Sequence, residues 1–304
     1  MTKNEILQSI QLRQSTIKDY LNCPLMFRFK HLDKMPPEFR NPGALHGSTL
    51  HKLLYLIHLD KWNLDVTRYY RDVFEFFEFE NGNETLIPVK WDSRDKELAA
   101  FEDNAIEILN GYRKRPDNRE ALILYSEQPF RVKIAGHIFT GTIDQVRKNP
   151  DDTIELIDFK SGKQQPNQVA IHNDWQLSLY QYALQYGEFQ IGGEWFNPNI
   201  KADYSSIYFL RNHEIRKRAS SNGSAGAEKG EPLLRSQMDN KQMQLFKNQI
   251  RRLLNSMLKD WHYPNPNHCN ICQYTNYCVN RHNELPTRLA TEAKKRLKEV
   301  ELVS

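Results

Sequence analysis

The sequence has only four cysteines among its 304 residues and no long hydrophobic segment. No window approaches the roughly 18 consecutive apolar residues of a membrane helix, so we expect no membrane partner. The N-terminal residues lack the apolar core of a signal peptide, which predicts an intracellular, cytoplasmic protein. In that compartment four cysteines are not expected to form a disulfide framework. These absences argue against membrane proteins and disulfide-rich secreted domains.

Two motifs of common enzyme classes are also absent. The sequence contains no G-x-x-x-x-G-K-[ST] phosphate loop, so it carries no recognisable ATP-driven motor. It contains no G-x-S-x-G nucleophile elbow. The composition is otherwise that of an ordinary globular protein, with 39% hydrophobic and 26% charged residues. The formal net charge of +4 is compatible with nucleic acid as a partner but is not diagnostic.

What the sequence does contain is two acids and a lysine on two adjacent predicted strands. Asp144 closes a Gly-Thr-Ile-Asp segment, and Asp158 and Lys160 follow in the next strand. Alternation along that strand places its side chains on two faces, Ile154, Leu156, Asp158 and Lys160 on one and Ile157 and Phe159 on the other. Burying one charge alone is costly, so a shared face indicates a metal, a phosphate or an ion pair. Two acids and a lysine suit metal-assisted phosphodiester hydrolysis, and a solvated hairpin edge is the alternative.

Candidate neighbours of these groups lie on two predicted helices. Gln176 and Tyr180 share one helix face, either to contact a substrate strand or as part of an ordinary amphipathic helix. His51 and His58 lie near one face of a helix that is predicted to begin at about Ser48. Spacing alone does not decide which histidine, if either, is a metal ligand.

Three of the four cysteines form a C-x2-C-x5-C pattern at Cys269, Cys272 and Cys278, while Cys23 lies far upstream. Zinc favours paired C-x2-C segments. A cubane iron–sulfur cluster needs four thiolates and tolerates a remote ligand, so the spacing places iron–sulfur ahead of zinc and leaves both open. Either centre would join the C-terminal segment to the N-terminal helix.

The rest of the chain divides by periodicity and composition. A helical pattern over residues 14–34 is interrupted at Pro24, and Ser15 or Thr16 is a candidate N-cap. Residues 61–122 are predicted to be a helical insertion. The other predicted elements are strands over 122–134, 137–146 and 205–210, helices over 170–187 and 238–260, a flexible loop over 211–237 and a charged helical tail over 283–304. Two readings stay open for four basic residues, phosphate contact or a solvated basic run: Arg211, Arg216, Lys217 and Arg218.

In this order the motifs resemble the PD-(D/E)XK nuclease superfamily. More narrowly, they resemble its iron–sulfur branch, which includes RecB- and AddB-like nuclease domains and CRISPR-associated adaptation exonucleases. The resemblance covers most of the chain and is specific through the joint occurrence of its parts. Those parts are the Ser15–Phe27 helix with Cys23, the G-x-x-x-H motif ending at His51, Glu127, the Gly-x-x-Asp strand with Asp144, the D-x-K strand of Asp158 and Lys160, the Q-x-x-x-Y helix of Gln176 and Tyr180, and the three C-terminal cysteines.

The resemblance implies a restriction-endonuclease-like α/β core, with a central mixed sheet flanked by helices. It favours His51 over His58 as a metal ligand. By this resemblance His51, Asp144, Asp158 and the carbonyl of Phe159 would hold Mg²⁺ or Mn²⁺.

The same resemblance implies roles for the remaining site residues. Lys160 would orient the attacking water or stabilise the developing negative charge. Gln176 and Tyr180 would position the DNA strand. Cys23 and the cysteines of segment 261–282 would hold a structural [4Fe–4S] cluster.

The function implied is a metal-dependent DNA exonuclease acting on single strands or DNA ends in recombination, repair or phage DNA processing. Its nuclease domain would span residues 1–282, and a separate helicase or recombination protein is a possible partner. Two alternatives stay open. One is a CRISPR-adaptation nuclease that trims spacers, and the other is a non-catalytic nucleic-acid-binding module.

Overall fold

A computed structural model of the protein describes residues 10–59, 62–79, 87–162, 168–211, 232–257 and 262–280. The helices are α1 (Gln14–Asn22), α2 (Pro24–Phe27), a π-helical turn (Arg28–Leu32), α3 (Pro42–His58), α4 (Val66–Phe79), α5 (Arg94–Lys114), α6 (Pro116–Glu120), α7 (Gln168–His172), α8 (Trp175–Tyr186), α9 (Asn240–Met257), a 3₁₀ turn (Pro266–Ile271) and α10 (Thr275–Asn280). The strands are β1 (Leu122–Ile134), β2 (His137–Lys148), β3 (Ile154–Lys160), β4 (Glu188–Ile191), β5 (Glu194–Phe196), β6 (Tyr204–Phe209) and β7 (Leu233–Ser236). Among these residues no helix has the length and apolar character to cross a membrane.

The strands that the structure describes form one mixed sheet in the order β5-β4-β1-β2-β3-β6-β7. β3 and β6 are parallel, and the other neighbouring pairs are antiparallel. A parallel pair needs a crossover, and α7 and α8 lie in the chain that connects β3 to β6. Helices pack on both faces of the sheet. The predicted α/β class, with a central mixed sheet flanked by helices, is confirmed.

β1 and β2 form a long hairpin whose turn is Ala135–Gly136. Both turn residues have positive φ, 52° and 89°, a geometry that matches the twist of the flanking strands. The predicted hairpin is therefore confirmed. From the turn the register continues through Gln128–Ile143 to Ser126–Gln145, and Glu127 and Asp144 lie between these two pairs.

β3 contributes side chains to both hydrophobic cores. Leu156 packs in the core that contains residues of α1, α8 and α9. Ile157 and Phe159 pack in the core that contains residues of α3, α4 and α5. The predicted alternation along β3 is confirmed, and it places Asp158 on the face that α8 covers.

One buried carboxylate of β3 is fully paired. Glu155, which is 0% exposed, accepts hydrogen bonds from Arg147 of β2 at 2.9 Å, Arg235 of β7 at 2.7 Å and Ser206 of β6 at 2.7 Å. Burial raises the pKa of Glu155, but the hydrogen bond from Arg235 and the charge of Arg147 outweigh burial and lower the pKa to about 2. These contacts join four strands of the sheet.

The predicted single helix over 170–187 is wrong, because two helices occupy this region. α7 ends at His172, and α8 begins at Trp175. Asp174 lies between them and accepts a hydrogen bond from the amide of Leu177 at 2.9 Å. An aspartate in this position caps a new helix instead of continuing the previous one.

The predicted loop over 211–237 is wrong for its last residues. Leu233 to Ser236 form β7, which pairs antiparallel with β6. The ion pair between Arg235 and the buried Glu155 holds this short strand in place. Arg211 donates a hydrogen bond to the carbonyl of Ser161 at 2.7 Å. Residues 212–231, which include Arg216, Lys217 and Arg218, lie outside the described residues.

Two predicted helix starts are also wrong. The helix expected from Ser48 begins at Pro42, because Asn41 accepts a hydrogen bond from Gly43 as N-cap and proline suits the first turn. The N-cap of α1 is Arg13 instead of Ser15 or Thr16, and the Thr16 hydroxyl accepts a hydrogen bond from the Arg13 amide at 3.2 Å. The interruption at Pro24 is confirmed.

The described part of segment 61–122 consists mainly of α4, α5 and α6, so its predicted helical character is confirmed. These helices share a core with α3 on one face of the sheet. The domain limits at 1–282 stay a prediction, and the tail over 283–304 lies outside the described residues. The sequence prediction missed the β4–β5 hairpin, which turns at Gly192 and Gly193 with positive φ.

Candidate metal centre

Three potential metal ligands from three elements meet near the middle of the β1–β2 hairpin. The Nδ1 atom of His51, on α3, lies 3.2 Å from Oε1 of Glu127 and 3.6 Å from Oδ2 of Asp144. One ligand atom from each residue lies within 4.8 Å of the other two. Carboxylate oxygens with one imidazole nitrogen are a donor set for a divalent cation such as Mg²⁺ or Mn²⁺.

Glu127 is the member of this group to which the sequence assigned no role. It has φ of 45° within a strand, a left-handed conformation that is uncommon for a residue with a side chain and is found at functional sites. The signal for it was present in the sequence. Counting back from the Ala135–Gly136 turn places Glu127 at the level of Asp144, between the Ser126–Gln145 and Gln128–Ile143 pairs.

The electrostatics of this group favour a cation. Asp144 is 6% exposed and accepts a hydrogen bond from the amide of Phe159 at 2.7 Å. Burial raises the pKa of Asp144 to about 7, and the charges of Asp158 and Glu127 add to the rise. Burial lowers the pKa of His51, but Asp144 and Glu127 outweigh it and raise the pKa to about 9. In the absence of a metal, protons on these groups offset the negative charge.

Asp158 lies beside the three-residue group and is 1% exposed. Its Oδ2 atom is 2.6 Å from Nζ of Lys160. Its Oδ1 atom is buried and has no hydrogen-bond partner among the described residues. Burial raises the pKa of Asp158 despite the charge of Lys160. A buried carboxylate oxygen without a partner is costly, and a bound cation would satisfy it.

Lys160, Gln176 and Tyr180 form a chain of hydrogen bonds that starts at Asp158. Nζ of Lys160 donates to Oε1 of Gln176 at 2.8 Å, and Nε2 of Gln176 donates to the Tyr180 hydroxyl at 2.8 Å. Burial lowers the pKa of Lys160, but Asp158 more than offsets it, so the amine stays charged. Burial raises the pKa of Tyr180 well above its usual value, so the phenol stays neutral. The structure thus brings the D-x-K strand and the Q-x-x-x-Y helix together.

His58 lies apart from the carboxylates, inside the core. Its Nδ1 atom is 2.7 Å from the Ser126 hydroxyl and its Nε2 atom is 2.9 Å from the Tyr112 hydroxyl. Burial, with the charge of Arg147, lowers the pKa of His58 to about 3. The ring of Phe159 contacts the imidazoles of both His51 and His58. Of the two histidines, only His51 is placed with the acids.

Gly141, three residues before Asp144, is required by packing. A Cβ atom there would lie 2.8 Å from the ring of Phe130. That ring packs edge to face on Tyr180, with 5.7 Å between ring centroids. The Gly-x-x-Asp spacing therefore lets Phe130 support the tyrosine that ends the hydrogen-bonded chain.

The oxygen and nitrogen atoms at this site fit the Mg²⁺ or Mn²⁺ that the sequence implies, but the residues that supply them differ from the expected set. His51 and Asp144 form the compact group with Glu127, while Asp158 offers its unpartnered oxygen from the side. The backbone amide of Phe159 contacts Asp144. The ligand role expected for the Phe159 carbonyl stays a prediction, as do the catalytic roles of the other residues.

All four cysteines line one cavity, of about 80 Å³. No three of their sulfur atoms lie within 4.8 Å of one another. Around one zinc ion the sulfurs would be about 3.8 Å apart, as follows from Zn–S bonds of about 2.3 Å in a tetrahedron. The arrangement therefore does not fit a single zinc ion, and the iron–sulfur cluster stays a prediction.

The cysteine-bearing segment is joined to the N-terminal helices. The amide of Asn265 donates to Sγ of Cys23 at 3.4 Å, and its side chain donates to the Asn22 carbonyl at 2.7 Å. The amide of Leu25 donates to the carbonyl of Tyr263 at 3.2 Å. The two ends of the described chain therefore meet at this cavity.

Comparison with known proteins supplies a family. A family model described as the PD-(D/E)XK nuclease superfamily matches residues 11–279. No curated protein matches this chain. The crystal structure of SSO0001 is similar, with 12% sequence identity and a TM-score of 0.32 over 91% of this chain and 95% of that one.

Proposed function

This chain belongs to the PD-(D/E)XK nuclease superfamily, and from that premise we propose that it is a metal-dependent DNA exonuclease acting on single strands or DNA ends. The observation that supports this most is the meeting of His51, Glu127 and Asp144 beside Asp158 and Lys160. We place its work in recombination, repair or phage DNA processing. Any unwinding of duplex DNA would come from a separate helicase or recombination protein.

In the proposed centre His51, Glu127, Asp144 and Asp158, with the carbonyl of Phe159, would hold Mg²⁺ or Mn²⁺. A divalent ion, when bound, polarises the scissile phosphate and lowers the pKa of the attacking water. The charges of Asp144 and Glu127 would favour a bound cation, and His51 would serve as a ligand in its deprotonated form. Oδ1 of Asp158 gains the partner that the described residues do not supply.

Lys160 is proposed to act on the substrate rather than on the ion. Its ammonium group is held between Asp158 and Gln176, so it has a fixed position and a permanent charge. From there it orients the attacking water or stabilises negative charge as it develops on the phosphate. Gln176 and Tyr180 fix this amine and contact the DNA strand.

Digestion of end-labelled DNA with and without Mn²⁺ tests the activity and its polarity. The substrates are a linear single strand labelled at either end, a blunt duplex and a circular single strand. We expect stepwise shortening of the linear strand, no cut in the circle and no reaction in EDTA. Release of label from only one labelled end gives the polarity.

Asp144→Asn and Asp103→Asn are the matched variants for this assay. Asp103 is an exposed carboxylate on α5. We expect the first variant to be inactive and the second to match the wild type. Rapid cleavage of the circle would show an endonuclease, and full activity of Asp144→Asn would refute the proposed centre.

We also propose that Cys23, Cys269, Cys272 and Cys278 hold a [4Fe–4S] cluster with a structural role. Three observations support this: a shared cavity, sulfurs too far apart for one zinc ion, and a tie between distant parts of the chain. Four thiolates are the usual ligands of such a cluster.

Anaerobic purification followed by iron and sulfide analysis tests the cluster. We expect a brown protein with four irons per chain, as the cubane formula requires, and a colourless Cys272→Ser variant. A colourless wild type with zinc, or with no metal, after anaerobic purification would refute the cluster and leave the nuclease centre unaffected.

A further inference from the structure

A groove of about 510 Å³ lies next to the candidate metal centre. Its floor is the β1–β2 hairpin, at Pro129, Phe130 and residues 140–142. These residues lie on the hairpin-turn side of Glu127 and Asp144. At about 3.4 Å per residue the floor extends roughly 14 Å from the carboxylates, which is long enough for a short run of nucleotides. Tyr180 lines the groove as well.

The start of α1 forms one wall. Leu12 bridges to Phe139, and its carbonyl accepts a hydrogen bond from the Thr140 amide at 2.9 Å. This contact fixes Arg13 and the first turn of α1 along the groove. Arg13 makes no ion pair with any described residue, and the lining that the structure describes includes no acidic side chain. The wall is therefore suited to a phosphate.

The β4–β5 hairpin forms another wall and places Trp195 on it. The guanidinium of Arg131 lies over the indole, 4.4 Å from the ring centroid. Arg131 is held in turn by Glu188, whose Oε2 accepts a hydrogen bond from Nε at 2.6 Å. The indole is thus supported in a fixed position, as a stacking platform for a base must be.

One polar atom of the groove lacks a partner. The hydroxyl oxygen of Thr140 is buried and has no hydrogen bond among the described residues. Gln11, Gln14 and Gln190 add further donors and acceptors to the lining. Polar groups around the guanidinium of Arg13 and the indole of Trp195 suit a flexible polyanion with exposed bases.

We propose that this groove binds a single strand of DNA and leads it to the metal centre, with Trp195 stacked on a base and Arg13 on a phosphate. The inference rests on the proposed function, because it names the form of substrate for that site. A single strand offers unstacked base faces to Trp195, whereas the bases of an intact duplex are stacked on one another.

The test is the binding of a fluorescein-labelled oligothymidylate by anisotropy in buffer without divalent ions, so that cleavage does not interfere. We expect Trp195→Ala and Arg13→Ala each to weaken binding about tenfold, the usual scale of one stacking or charged contact. Arg13→Ala also lowers the slope of log affinity against log salt by about 0.7. Trp195→Phe, which keeps an aromatic face, retains most of the affinity.

Arg68 and Tyr69 supply the matched controls. They form a comparable cation–aromatic pair on α4, and Arg68→Ala and Tyr69→Ala are expected to bind as the wild type does. Wild-type affinity and salt slope in both groove variants would overturn the proposal. The proposal would also be overturned if the two groove variants bound a blunt duplex more weakly than the wild type does but bound the oligothymidylate equally well.

A second measurement separates this proposal from the nuclease activity. Hydrolysis of bis(p-nitrophenyl) phosphate with Mn²⁺ needs the metal centre but offers no strand to the groove. We expect the groove variants to hydrolyse it like the wild type. If the wild type cleaves neither this ester nor DNA, the proposed function fails, and the anisotropy result still decides whether the groove binds DNA.

Discussion

Glu155 and Asp158 are both buried carboxylates on β3, yet their surroundings differ completely. Glu155 accepts hydrogen bonds from two arginines and a serine, and its pKa is lowered to about 2. Asp158 forms an ion pair with Lys160, one of its oxygens has no hydrogen-bond partner among the described residues, and burial raises its pKa. Both side chains are almost fully buried, so the difference lies in the hydrogen bonds and opposite charges that their neighbours supply.

The comparison separates a structural charge from a functional one. A buried charge is tolerated in a finished protein when its neighbours satisfy it, as Glu155 shows. A buried charge that its neighbours leave incomplete marks a place where something else binds. At Asp158 and the adjacent group of His51, Glu127 and Asp144, a divalent cation fits that description.

The largest expected effect is on activity. Asp158→Asn keeps the size of the side chain but removes its charge, so nuclease activity should fall at least about a thousandfold. The Asp158→Asn protein should be no less stable than the wild type, because the substitution removes a buried charge that its neighbours only partly satisfy. Initial rates on single-stranded DNA and a chemical denaturation curve measure both. An active Asp158→Asn protein would erase the distinction between the two carboxylates.

The next largest effect is a loss of stability, and it is expected from substitution of Glu155. Glu155→Gln leaves Arg147 buried without a counterion, and removing one partner of a buried pair costs about 3–5 kcal/mol. Rates per folded molecule should stay near those of the wild type. Urea denaturation gives the free energy of unfolding, and a loss well below 1 kcal/mol would show that the network is dispensable.

A smaller effect is expected from Gly141→Ala, which tests the packing around the functional carboxylate. The new methyl group would press on the ring of Phe130, and overpacking of this kind costs about 1–3 kcal/mol. Displacement of Tyr180 should also reduce the rate. Gly162→Ala is the matched control for stability, since a Cβ there meets nothing within 4 Å. Equal stability of the two variants would contradict the packing argument.

The last expected effect is a gradual one, a difference in the slope of stability against pH of at most about 1.4 kcal/mol per pH unit for each proton. Glu155 has a lowered pKa, so its contribution to stability is complete above 4.5 and is lost as the pH falls toward 2. Asp144 has a pKa raised from 3.8 to about 7, so the metal-free protein gains stability as the pH falls through that window.

Unfolding in EDTA at a series of pH values measures these slopes. Asp144→Asn should remove the gain in stability between pH 7 and 4, and Glu155→Gln should reduce the loss below pH 4.5. The same pH slope for both variants and the wild type would show that the two carboxylates do not titrate differently.

Much of this arrangement could be predicted from sequence because it depends on local signals. The alternation of β3 places Asp158 and Phe159 on opposite faces, and the Ala135–Gly136 turn sets the hairpin that carries Asp144. No local sequence pattern predicts the contact between Lys160 and Gln176. The resemblance to a known family implied only that Gln176 positions the DNA strand, and the structure adds its hydrogen bond with Lys160.

The rest depends on tertiary contacts that no local pattern contains. His51 and His58 are equivalent by spacing, and only the three-dimensional packing places one with the acids and the other against Tyr112. β7 is four residues long and is held by Glu155, which is far away in sequence. The role of Glu127 required combining the hairpin register with the position of α3.

The most direct test of the account is a Mn²⁺ titration followed by the free energy of unfolding. For the wild type, a concentration one hundred times the dissociation constant should stabilise the protein by about 2.7 kcal/mol. Glu155→Gln should gain the same increment from its lower starting stability, whereas Glu127→Gln and Asp144→Asn should gain little. Full stabilisation of these last two variants by Mn²⁺ would contradict the claim that the incompletely paired carboxylates form the metal centre.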